Sequence, residues 1–138
     1  MWAQGATRVD AQFLSPLDVR IVDDSTGRAC YELIAQFGFW SQAFEREFWV
    51  PVGTQFDGPS IPQIALWATG ATPGLRASCL HDWLIVSRAV DRKIADRVFL
   101  EALRVCGVDD VLARAMYEAV RSYARGLEDD GPIEYGSG

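Results

Sequence analysis

Histidine is almost missing from this chain: its 138 residues include one, His81. Cysteine is scarce and odd in number, with only Cys30, Cys79 and Cys106. No Cys-x-x-Cys pair or His/Cys cluster is present, so neither a disulfide framework nor a zinc site is expected. Three reduced, buried thiols are expected instead. No apolar run approaches the ~20 residues that a membrane span needs. No basic start with an apolar run and cleavage site is seen, so a chain made in the cytoplasm without a signal peptide is expected. Positive charge is short too, with 13 Lys and Arg against 19 Asp and Glu, a net charge of -6. The basic residues are scattered rather than gathered into a stripe. That argues against nucleic acid as a partner, because such binding rests on neutralising phosphates.

What remains is ordinary globular material: 49% hydrophobic and 23% charged residues, enough for one domain with one core. The first half reads as β. Leu17 to Val22 alternates apolar and polar residues, as a half-buried strand does. Asp23-Asp24-Ser25-Thr26-Gly27 is a turn, and Ala29 to Phe37 returns as the second strand of a hairpin. Gly38-Phe39-Trp40 and Phe48-Trp49-Val50 are two more short strands, the last stopped by Pro51 and Gly53. Three or four antiparallel strands are expected.

The second half is helical. One helix covers Leu75 to about Ser87. A second starts from Asp91 as its N-cap, runs to Cys106 and stops at Gly107. Its apolar face is Ile94, Ala95, Val98, Phe99, Ala102 and Leu103. A third opens at Val108 or Asp109, with Val111, Leu112, Ala115, Met116, Ala119, Val120 and Tyr123 on one face. The expected fold is α+β: a small antiparallel sheet packed on an α-helical hairpin, plus a third, C-terminal helix. Residues 1–126 form the domain. The acidic, Gly-rich stretch 127–138 is expected to be a mobile tail. Between the halves, Gln55 to Gly74 is rich in Gly and Pro yet carries Ile61, Ile64, Leu66 and Trp67. Those apolar side chains need cover, and Ile64, Leu66 and Trp67 are the candidate interface with other subunits. Few basic residues accompany them, which favours a protein surface over a lipid one.

The chemistry gathers at His81-Asp82-Trp83 and at Asp96. If the first two helices form an antiparallel hairpin about Arg88-Ala89, His81 lies about seven residues before its tip and Asp96 about seven after it. At a rise of ~1.5 Å per residue the two reach the same height. Antiparallel helices pack at ~8–10 Å between axes, which suits a His–carboxylate hydrogen bond. Asp82 points about 100° away around the helix and cannot share that partner. Two readings follow. His81 and Asp96 form a buried pair that closes the hairpin. Or Asp96 orients His81 as a general base, while Asp82, turned toward the Asp57-Gly58 loop, holds a hard cation together with loop carbonyls. Trp83 reads as core.

Asp57-Gly58-Pro59-Ser60-Ile61-Pro62, His81-Asp82-Trp83-Leu84 and Ala95-Asp96-Arg97-Val98-Phe99 occur in that order, preceded by Val50-Pro51-Val52-Gly53 and followed by Met116-Tyr117-Glu118-Ala119-Val120-Arg121. This ordered combination resembles the domain-of-unknown-function family 1353, frequent in tailed phages and prophages, over about residues 28–125. Pro59 stands where that family usually has Ala, and Ile85 where it usually has Tyr. The constellation is also similar to the active-site helices of secreted phospholipase A2. That likeness implies a general base at His81 and a Ca2+ site made by Asp82 with Asp57 and the backbone at Gly58. The disulfides and the Tyr of those enzymes are missing.

The family resemblance implies a phage-encoded virion protein of the tail, baseplate or neck. Its partners would be other virion proteins, in several copies within a symmetric assembly. The second expectation is a calcium-assisted hydrolase with a His81–Asp96 dyad, acting on lipid or another envelope component.

Overall fold

The computed structural model describes residues 9–23, 25–27, 29–57 and 74–137, the side chains of Ala29, Asp57 and 127–137 excepted. Its strands are β1 (Gln12–Phe13), β2 (Val19–Asp23), β3 (Ala29–Leu33), β4 (Phe37–Ser41), β5 (Arg46–Val50) and β6 (Gln55–Asp57). Its helices are α1 (Leu75–Ser87), α2 (Arg92–Val105) and α3 (Asp110–Ser137). The arrangement is α+β, with strands in the first half and helices in the second.

The strands form two antiparallel sheets rather than one, ordered β1-β4-β5 and β2-β3-β6. The predicted strand from Ala29 to Phe37 is broken at Ile34–Gln36, so that β3 and β4 fall in different sheets. The return strand breaks at the same level, between β5 and β6. There Gly53, at φ 89°, bonds back to the Leu33 carbonyl, and the Leu33 N–H bonds to Thr54. The sheets are thus the two ends of one long hairpin, bent in its middle. The bend lets Leu33 face the core while Ile34 turns outward. β1 and β6 are too short for their alternation to show in sequence.

Phe37 and Phe39 of β4 are fully buried, and Phe13 of β1 packs on both at ring distances of 5.4 and 4.9 Å. Burial of each such ring is worth roughly 1.5–3 kcal/mol. Against this sheet lies α2, which also contacts α1 and α3 and is the central element of the molecule. Its predicted apolar face is the buried one: Ala95, Val98, Phe99, Ala102 and Leu103 are all in the core. Its ends form as the sequence predicts. The Asp91 carboxylate accepts the Ile94 N–H at 3.2 Å. At the other end Gly107 has φ 87°, its N–H bonds to Arg104 O, and the Val108 N–H reaches Leu103 O, closing a Schellman motif.

The third helix meets expectation only in part. Of the expected face, Met116 is buried and Leu112 and Val120 pack against the core, but the buried stripe continues through Ala113, Arg121 and Ala124, whereas Val111 and Tyr123 are 77% and 65% exposed. Ala115 and Ala119 also face outward. The helix is rotated from its most apolar face because Arg121 turns inward to a carboxylate on α2. Its backbone also continues through Gly126 to Ser137, past the predicted end. A lone Gly weakens a helix by only about 1 kcal/mol and does not by itself stop one.

Candidate functional site

α1 turns into α2 through Arg88, held in the left-handed region at φ 57° with its N–H on Ile85 O. This tight reversal sets His81 and Asp96 at the same height, as the spacing predicts. His81 Nε2 lies 2.6 Å from Asp96 Oδ1. An ionised carboxylate only accepts, so the ring donates its Nε2–H. The ring also stacks on Phe99, with centroids 4.4 Å apart, which fixes its plane.

Asp96 has further partners. Arg92, one turn earlier on α2, brings Nε to 3.1 Å from Oδ1. Arg121 of α3 brings Nη1 to 2.7 Å from Oδ2. The carboxylate is 0% exposed, His81 7% and Arg121 6%. A carboxylate stripped of water at that depth is costly unless it is paired and hydrogen-bonded. Here side chains from α1, α2 and α3 all donate to it. Arg92 and Arg121 are the site residues that the sequence reading passed over. Their signals were present: Arg92 stands four residues before Asp96, and Arg121 falls on the stripe set by Ala113, Met116 and Ala124.

The electrostatics follow from this crowding. Burial lowers the His81 pKa below 6.5, and the Arg92 charge lowers it further; the Asp96 hydrogen bond and charge oppose this without overcoming it. The ring is therefore neutral near pH 7. For Asp96, burial raises the pKa, but the hydrogen bonds from His81, Arg121 and Arg92 outweigh it and hold the carboxylate below 3.8. With Nε2 committed, Nδ1 is the nitrogen left to accept a proton in any base role.

Asp82 is half-buried, and its charge acts on both His81 and Cys79. Among the described residues, no group of three or more His, Cys, Asp or Glu side chains could hold a metal. The side chain of Asp57, together with Gly58, Ile64, Leu66 and Trp67, lies outside the described residues. Trp83 packs against the core as expected. Cys30 and Cys79 are buried and Cys106 is half-buried. A groove of about 630 Å3 opens at the tip of the α1–α2 hairpin, lined by Ile85, Arg88, Val90, Arg92 and Ala124 but not by His81 or Asp82.

The model of a family described as protein of unknown function (DUF1353) matches residues 31–120, which spans the hairpin, His81 and Asp96. The chain belongs to the DUF1353 family. Arg121, which completes the DUF1353 domain's buried cluster here, lies one residue past the matched stretch. The chain is also similar to the uncharacterized protein y4jT of Sinorhizobium fredii (strain NBRC 101917 / NGR234), 34% identical over 104 residues. That match covers 72% of this chain but 30% of y4jT, so the DUF1353 chain spans under a third of its relative's length. No solved structure matches. The likeness to the phospholipase A2 active site is not borne out by any of these comparisons. Among the described residues, no helix is long and apolar enough to cross a membrane.

Proposed function

We propose that this chain is an assembly module of a phage or prophage particle, in the tail, baseplate or neck, and that the His81–Asp96 pair is a structural lock. The observation that carries the structural reading is the occupancy of Asp96. Both of its oxygens are taken, and two of its three donors are guanidiniums. A carboxylate committed to two permanent cations has little charge left to stabilise an imidazolium, the task of an orienting partner in base catalysis. The three donors instead tie three helices together. The frequency of this family among tailed phages and prophages supports the virion. The apolar Ile64, Leu66 and Trp67 support contact with other subunits. The short share of the longer relative supports a module used within larger proteins.

Mass spectrometry of purified particles from a strain carrying the gene tests this. The chain is expected in several copies per particle, and its absence from clean particles overturns the reading. His81→Asn is expected to lower stability while leaving any ester hydrolysis at background.

One observation favours a second reading, a calcium-assisted hydrolase. A neutral ring, bonded at Nε2 and stacked on Phe99, is a correctly held base if water reaches Nδ1. His81 would take a proton from water, and Asp82 with Asp57 and the Gly58 backbone would hold Ca2+. A calcium-dependent rise in Tm that Asp82→Asn abolishes, together with hydrolysis lost in a folded His81→Ala, would replace the first reading with this one.

A further inference from the structure

The tip of the α1–α2 hairpin carries a side chain that the fold does not use. Arg88 is held at φ 57° and ψ 33°, the left-handed region that favours glycine. Its backbone N–H bonds to Ile85 O. Its guanidinium has no hydrogen-bond or ion-pair partner among the described residues. A side chain kept on strained backbone without an internal contact points to a role outside the fold.

Arg88 lines the groove of about 630 Å3, a volume within the range of small-molecule sites. Most of the remaining lining is apolar: Ile85, Ala89, Val90 and Ala124. Two ionic side chains join Arg88 there. Arg92 holds Asp96 through Nε, so its terminal nitrogens stand further out along the side chain. Asp91 accepts the Ile94 N–H at the start of α2. The Asp96 charge behind Arg92 is matched by Arg121. Arg88 and Arg92 against Asp91 therefore leave one net positive charge in an otherwise apolar groove. The exposed Tyr123 ring, 5.9 Å from the Arg92 guanidinium, extends the apolar surface on that side.

We propose that this groove binds a small amphiphilic carboxylate, its apolar chain against Ile85, Val90 and Ala124 and its charge on Arg88, with Arg92 beside it. A single negative charge balances the groove, and a planar carboxylate accepts two parallel N–H bonds from a guanidinium. The apolar chain supplies the burial that an exposed ion pair lacks. The groove contains neither His81 nor Asp82, so the proposal rests on neither reading of that pair.

The test titrates the full chain with octanoate, followed by calorimetry and Tm. Acetate keeps the charge without the chain, and 1-octanol keeps the chain without the charge. Octanoate is expected to bind saturably at one site, about tenfold or more tighter than either control. Arg88→Gly relieves the left-handed strain, so it folds with an unchanged or higher Tm, and its octanoate affinity falls about tenfold. Arg88→Gln, which keeps a side chain there, gives the same loss, and neither variant changes the affinity for 1-octanol. No saturable octanoate binding, equal affinity for 1-octanol, or undiminished octanoate binding in both variants overturns the proposal. So do two other occupants. Acetyl-Leu-Leu binding tenfold tighter than octanoate assigns the groove to a protein C-terminus. A dimer in sedimentation that Arg88→Gln dissolves assigns it to a second copy of the chain.

Discussion

Arg121 Nη1 lies 2.7 Å from Asp96 Oδ2, with both side chains buried, so α3 is joined to α2 through an ion pair in the core. Asp96→Asn leaves two guanidiniums facing a neutral amide. It is expected to cost about 3–5 kcal/mol, read by urea unfolding, because removing one member strands buried charge. Arg121→Met should cost less, since His81 and Arg92 still hold the carboxylate. The double variant is expected to cost less than the sum of the two singles. Strict additivity would mean that the two side chains do not interact.

Stability is expected to fall on acidification in two stages. His81 has a folded pKa below 6.5, so the unfolded chain takes the proton first. Its contribution is complete above that value, declines as pH drops below it, and levels once the folded ring is also protonated. Asp96 is depressed below 3.8, so its contribution holds above that value and is lost as pH falls through the folded pKa. Denaturant unfolding from pH 8 to pH 3 reads both stages. His81→Gln should flatten the first and leave the second.

Gly38 is fixed by its neighbour across the sheet. It pairs with Trp49, and a Cβ there would sit 2.5 Å from the Trp49 ring. The Trp49 indole is itself tethered, its Nε1–H donating to Glu47 at 2.8 Å. Gly38→Ala is expected to destabilise by about 1–3 kcal/mol, read as a lower Tm. Adding Trp49→Val should recover part of the loss. An unchanged Tm in the single variant would show that the ring moves aside freely.

Glu101 of α2 pins the turn between β4 and β5. Its carboxylate accepts the Ser41 hydroxyl at 2.7 Å and the Ala43 N–H at 2.9 Å. Glu101→Ala leaves both donors without their acceptor and is expected to cost about 1–3 kcal/mol. Glu101→Gln keeps one acceptor oxygen and should cost less. Equal losses in the two variants would point to packing rather than hydrogen bonding.

The parts legible in the sequence were those set by local rules. Asp91 and Gly107 marked the ends of α2 because a carboxylate cap and a left-handed glycine are needed at those positions. The His81–Asp96 bond followed from rise per residue and the short hairpin. The bent β-hairpin was not legible, since Ile34–Gln36 reads as continuous strand until the core decides that Leu33 goes in and Ile34 out. The rotation of α3 was missed for a related reason. Apolar periodicity favoured the face of Val111 and Tyr123, but the carboxylate on α2 needed Arg121, and a charged side chain set the orientation against that pattern. The partners of Asp96 therefore needed the tertiary arrangement to show themselves.

Because a single carboxylate collects donors from three separate helices, none of the three can detach quietly. Peeling α3 away would strand Asp96 short of a guanidinium, and opening the α1–α2 bend would strand it short of the imidazole. Backbone amides around His81, Asp96 and Arg121 should then exchange with deuterium at a common slow rate, as one cooperative block, while the outer ends of α3 and of the sheets exchange faster.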